Sequence, residues 1–124
     1  MKISGIRIFR PLFRTRSRKL YLANREAARA MVVARVNHFN IHYKLPVGRI
    51  AIRNQKSRWG SCSRKGNLNF SYKLAFLPPE LRDYVIVHEI CHVQEFNHGR
   101  GFWDLVGQTV PEYKALRKKL RDVR

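Results

Sequence analysis

Acidic residues are scarce in this chain. It carries 8 Asp and Glu against 26 Lys and Arg, a formal net charge of +18 over 124 residues. So few carboxylates exclude a two-metal site built from acids, and no cluster suited to magnesium is present. Cysteine is rarer still. Cys62 and Cys91 do not make a disulfide framework, and both read as reduced thiols with packing roles. No apolar run approaches the ~20 residues of a membrane-spanning helix. The basic first 20 residues lack the unbroken apolar segment of a secretory signal, so a cytoplasmic protein is expected. There is no Gly-rich phosphate loop, internal repeat or low-complexity tract. What is present is a 44% hydrophobic complement, too large for a disordered chain. At this length one domain over residues 1–124 is expected, with residues 1–20 as a basic arm or strand.

The charge is unevenly distributed. Residues 1–79 hold 18 Lys and Arg and a single acid, Glu26, whereas residues 80–124 hold 8 Lys and Arg and 7 acids. The first part is +17 and the second +1. A field of that kind attracts polyanions such as nucleic acid or nucleotide phosphates.

Periodicity divides the chain into elements. Ile3, Ile6, Ile8 and Phe9 suggest a short strand, and Thr15 to Lys19 a linker. Asn24 is a good N-cap, and Ala27, Ala28, Met31, Val32, Val36 and Phe39 recur at helical spacing to about His42. Pro46 and Gly48 end that helix. Arg49 to Arg53 alternates as a strand. Gln55 to Asn67 predicts a hairpin or wide turn around Trp59-Gly60-Ser61-Cys62, and Leu68 to Leu74 alternates again. Pro78-Pro79-Glu80 opens another helix, predicted to run to about Phe96, with short helices over 102–108 and 111–121. The expected class is α+β: an N-terminal helix, a small antiparallel sheet, a central helix and short C-terminal helices. Leu68 to Leu74 is the candidate free edge, able to hold an extended peptide by main-chain pairing.

The central helix carries the chemistry. His88-Glu89-Ile90-Cys91-His92 reads H-E-x-x-H, and His98 follows. Residues four apart lie on one helix face, so His88 and His92 can share a metal ion, with Glu89 within reach of a water at that ion. Neutral nitrogen ligands, an open coordination position and a neighbouring carboxylate are what a zinc hydrolase requires. The bare pentapeptide can arise by chance. Leu81, Val85, His88 and His92 fall on one stripe, however, and turn the imidazoles toward apolar surroundings where an unpaired one is costly. His98 then follows in a segment with Gly99 and Gly101 that can return to the ion. His38 and His42 have the same spacing without a following glutamate or a third ligand, and read as helix-end residues favoured by the helix dipole.

These residues resemble a known family. Lys56-Ser57-Arg58-Trp59-Gly60-Ser61-Cys62-Ser63 is similar to the K-S-R-W-G-S-C-S signature of YgjP-like metallopeptidases. The order continues with Tyr84-Val85, His88-Glu89-Ile90-Cys91-His92, Asn97-His98, Phe102-Trp103 and Pro111-Glu112-Tyr113. The family is related to SprT-like and WLM zinc peptidases. The resemblance spans roughly residues 20–121 and implies a minimal zincin-like core, one zinc per chain on His88, His92 and His98, and Glu89 as the catalytic base. One departure stands out: only about 20 residues precede the first predicted helix, fewer than the family's usual β-rich region. The metal spacing also resembles the metzincin pattern, but Glu95 stands where that pattern has glycine, and the chain is not placed there.

A zinc-dependent peptidase is therefore the leading expectation, with Tyr113 or Arg100 as candidates to stabilise the oxyanion or contact substrate. Asp104 and Glu95 are candidates to orient the ligands, and Phe102 and Trp103 to form the wall beneath the metal. A nucleoside triphosphate pyrophosphatase would suit the cationic half but lacks a phosphate loop. A nucleic-acid-binding module with structural zinc would ordinarily show four ligands, often cysteines. A peptidase acting near nucleic acid, as SprT-like relatives do, would reconcile the charge with the metal motif.

Overall fold

A computed structural model describes residues 3–7, as backbone only, and 17–123. Strand β1 (Ile3–Arg7) precedes helix α1 (Arg18–Tyr43); strands β2 (Ile50–Arg53), β3 (Arg58–Ser63) and β4 (Leu68–Ser71) follow. A 3-10 turn (Tyr72–Phe76) leads into helices α2 (Pro79–Cys91), α3 (Arg100–Thr109) and α4 (Tyr113–Arg121). The α+β class is as the sequence predicts; Ile8 and Phe9, assigned above to a strand, lie outside the described residues.

Helix α1 begins earlier than expected. Ser17, not Asn24, is the N-cap, its hydroxyl accepting from Leu20 N–H at 3.2 Å. Asn24 lies inside the helix and donates to the Leu20 carbonyl at 2.8 Å. Arg18 and Lys19, read as linker, belong to the first turn. A polar, basic opening carries no hydrophobic periodicity, so the cap is the only local signal for it. The buried stripe is Ala28, Val32 and Val36, one per turn. At the far end Lys44 takes a left-handed conformation (φ 53°) and the Asn40 side chain brackets Leu45, bonding both its N–H and its carbonyl at 3.0 Å.

The sheet is mixed, not antiparallel. Its order is β1-β3-β4-β2, with β1–β3 and β3–β4 antiparallel and β2–β4 parallel. Residues 64–66 turn β3 back as β4, which then inserts beside β2, so Leu68 to Ser71 is an interior strand and cannot be the free edge. Trp59 to Cys62, expected in a turn, lies within β3. Its Gly, Ser and Cys hide the strand period because small residues serve both faces. Gly66 (φ 83°) makes the turn instead.

Helix α2 starts at Pro79 as predicted but ends at Cys91, five residues short of Phe96. It packs against α1, β3, α3 and α4. Arg35 of α1 grips Asp83 of α2 with two bonds of 2.9 and 3.1 Å. Tyr43 donates to the Leu105 carbonyl at 2.6 Å, tying α1 to α3. The shared core includes Trp59, Phe70, Tyr72, Tyr84, Ile86, Ile90 and Phe102, all at most 2% exposed. No helix among the described residues is long and apolar enough to cross a membrane.

Candidate metal centre

The packing of α2 against four neighbours buries residues that ordinarily stay wet. His88 (3% exposed), Glu89 (0%) and His92 (1%) all lie inside. His92 stands one turn beyond His88 and caps α2 in helical conformation, so the i, i+4 relation survives the early end of the helix. That early end also frees the chain to turn. Val93 N–H bonds the Ile90 carbonyl and Glu95 N–H the Cys91 carbonyl, and the segment returns His98 to the other two rings.

The three imidazoles form a triangle with ring centroids 4.7, 5.0 and 4.5 Å apart, and one nitrogen from each lies within 4.8 Å of the others. His92 Nε2 is 2.9 Å from His98 Nε2. Two nitrogens on one tetrahedral zinc ion stand roughly 3.3 Å apart, given bonds of about 2.0–2.1 Å. His92 Nδ1 is 2.9 Å from the Glu95 carbonyl. A carbonyl only accepts, so Nδ1 carries the proton and the Nε2 lone pair faces the centre. Glu95 therefore orients the His92 ring through its backbone; its carboxylate occupies the space that a Cβ at Gly101 would fill. Asp104 is exposed and makes no hydrogen bond to these rings among the described residues.

Burial sets the electrostatics. It pushes His88 down to about 3 and His92 to about 4; His98, although its residue is exposed, also falls to about 4, chiefly by desolvation and then through the charges of His88 and Arg117. All three are neutral at pH 7, the form that binds metal. Burial pushes Glu89 up to about 8, with His92 and Arg58 opposing the rise. His88 Nδ1 lies 3.3 Å from Glu89 Oε2, but this is not an ion pair, because the imidazole is neutral. Neither that nitrogen nor either carboxylate oxygen has a hydrogen-bond partner of acceptable geometry. Unpartnered buried polar atoms are rare and costly. Their convergence with three neutral imidazoles fits a bound cation and its solvent.

The walls are aromatic. Phe102 stacks on His92 (4.3 Å, 21°) and meets His88 and His98 edge-on. Trp103 stacks on His98 at 6.0 Å, and Tyr113 stacks on Trp103 at 5.0 Å. Phe102 and Trp103 thus form the expected wall. Tyr113 lies against Trp103. Arg100 is exposed in the first turn of α3 and touches none of the imidazoles among the described residues. Gly60 of β3 explains part of the Trp-Gly-Ser-Cys motif: a Cβ there would lie 3.1 Å from Glu89 Cγ and 3.1 Å from Phe70, so a larger residue would have to push Glu89 or Phe70 aside by a few tenths of an ångström.

A family model describing a YgjP-like metallopeptidase domain matches residues 10–123. The chain belongs to the YgjP-like metallopeptidase family. It is accordingly a peptidase-class hydrolase, with a peptide substrate and a metal requirement as the family implies. The fold is similar to that in the crystal structure of the metallopeptidase zymogen of Pyrococcus abyssi abylysin, with a TM-score of 0.64 at 24% identity, over 72% of this chain and 90% of that one. None of the curated proteins matches the chain.

Three residues at the centre escape sequence reasoning. Tyr84 meets His88 edge-on at 5.9 Å, and its spacing of four on the same helix was a usable signal. Arg58 and Arg117 bear on the centre through their charge; Arg58 sits in the Lys56–Ser63 signature without a role assigned to it, and nothing in the local sequence of Arg117 points there.

Proposed function

We propose that this family member is a zinc peptidase in which His88, His92 and His98 hold one zinc ion and Glu89 is the general base. The observation that carries the reading is the burial of a carboxylate without a partner beside three neutral, converging imidazoles. When bound, zinc polarises the scissile carbonyl and lowers the pKa of a water at the site to about 7. A dipositive charge at the imidazoles, added to Arg58, favours the carboxylate form of Glu89. An Oε atom of Glu89 then takes the proton of the attacking water as its oxygen adds to the peptide carbonyl carbon. The same oxygen gives that proton to the amide nitrogen as the C–N bond breaks. Glu95 holds His92 in the ligating tautomer, and Phe102 excludes bulk water from beneath the rings. The oxyanion partner is drawn from Tyr113 or Arg100; Tyr113 stacks on Trp103, which in turn stacks on His98.

Glu89→Gln tests this reading. About one zinc per chain is expected in both proteins, with peptide hydrolysis in the wild type alone. A variant that keeps full activity removes Glu89 as base.

A second element of the reading is polyanion docking on the sheet. Arg49 and Arg53 alternate onto one face and, with Ser63, Asn67 and Asn69, line a pocket of about 180 Å³. The Arg53 guanidinium bonds Asn69 Oδ1 at 3.2 Å. A cationic, amide-lined face suits phosphate backbone contacts. Binding to duplex DNA should weaken steeply with salt; an isotherm that does not respond to salt counts against it.

A further inference from the structure

Arg117 has no assigned task, and its setting is unusual. Helix α4 packs against α2 and places the Arg117 guanidinium over the Trp103 ring, 5.1 Å from its centroid. Trp103 in turn stacks on His98 and lies 6.0 Å from His88. Tyr113, one turn earlier on α4, stacks on the same indole. The guanidinium is thus held one ring away from the metal ligands.

No carboxylate among the described residues pairs with Arg117. The Arg–carboxylate pairs are Arg25–Glu26, Arg35–Asp83 and Arg82–Asp83, all elsewhere. The contact with the partly buried indole biases the side chain toward the centre, while Arg117 itself is exposed and its donors stay available. Arg58 adds a second positive charge near Glu89. Guanidinium charge therefore stands next to the site, and Glu89 is the buried acid at its heart. An incoming anionic group would be favoured, and a planar fork binds a carboxylate through two parallel hydrogen bonds. Because Arg117 touches Trp103 and no imidazole, its offset suits a group flanking the scissile bond better than the scissile carbonyl.

We infer that Arg117 is a specificity-determining residue that binds a carboxylate of the peptide substrate, either the C-terminal carboxylate or an Asp or Glu side chain. This rests on the peptidase reading above. The test is equilibrium binding to the Glu89→Gln protein loaded with zinc, followed by kcat and KM in the Glu89 protein. The probes share one core sequence and carry a free or an amidated C-terminus, and Glu or Gln at internal positions. Carboxylate-bearing peptides should bind about ten-fold tighter or more, as one charge-assisted hydrogen bond allows. The pair that shows the difference identifies the source. Adding Arg117→Gln should level the two, with the change in KM; Arg117→Lys should restore part of the preference; and zinc content, measured in each protein, should not change. Equal binding of all peptides by Arg117 protein overturns the inference and leaves the peptidase reading standing. So does a preference that survives Arg117→Gln, or a uniform drop in kcat on every peptide, which would make Arg117 an oxyanion partner. Hydrolysis of nucleoside triphosphates with no cleavage of any peptide overturns both.

Discussion

Two helices of this protein each carry a pair of histidines four residues apart, and among the described residues one of these pairs meets a third imidazole. His38 and His42 lie on the exposed face near the end of α1, where His42 shares a hydrogen bond of 2.9 Å with Gln108. His88 and His92 lie in the core, with Glu89 between them in sequence and His98 closing the triangle. The local geometry is the same; the surroundings are not. Helix α1 meets its neighbours along the stripe of Ala28, Val32 and Val36, and its histidines fall off that stripe. Helix α2 is covered by four elements, so its histidines are desolvated, held neutral and joined by a third ring. Spacing brings two nitrogens together, but burial and a third imidazole make a group that could hold a metal ion.

Removing the third ligand should abolish that difference. His98→Ala leaves the α2 pair resembling the α1 pair, and zinc affinity should fall by more than about 100-fold, beyond the range of outer-shell changes. His38→Ala and His42→Ala should leave zinc content unchanged. Competitive chelator titration measures both, and equal affinity of His98→Ala and wild type would place the third ligand elsewhere.

Titration should separate the two regions next. Burial raises Glu89 from its ordinary 4.5 to about 8, so in metal-free protein the folded state holds a proton that the unfolded state releases. The stability tied to that proton is complete below pH 4.5 and is lost as pH rises to 8. From pH 6 to pH 8 the loss is on the order of 2–3 kcal/mol. The lowered histidines act oppositely, costing stability as pH falls from 6.5 toward 4. Three histidines outweigh one glutamate until the unfolded imidazoles are mostly deprotonated, so denaturant unfolding of the metal-free protein should show a maximum just below pH 7, and Glu89→Gln should flatten its alkaline limb. An unchanged alkaline limb in that variant would mean another group titrates.

Gly60→Ala should have the smallest effect on stability, about 1–3 kcal/mol from overpacking, yet it bears on the same contrast. The added methyl meets Glu89 and Phe70 with backbone close behind. It should displace the carboxylate and lower kcat while zinc content holds. An alanine variant with wild-type kcat would show that β3 does not position Glu89.

Much of this was legible in the residues. The Pro79 start of α2, the inward stripe of His88 and His92, and the wall of Phe102 and Trp103 follow from periodicity and side-chain chemistry, which are local. The Ser17 cap was passed over because a polar first turn shows no apolar period. The strand at Trp59 to Cys62 was mistaken for a turn because small residues carry no alternation. The polypeptide alone thus determined the ligand types, their spacing on one helix face and the sign of the field over residues 1–79. Tertiary structure decided that β4 is interior and parallel to β2, that Gly60 abuts Glu89, that the Glu95 carbonyl orients His92 and that Arg117 lies over Trp103. Each of these joins residues that are distant in sequence or turned by a loop, and such contacts are set by which surfaces pack together, not by any local preference of the chain.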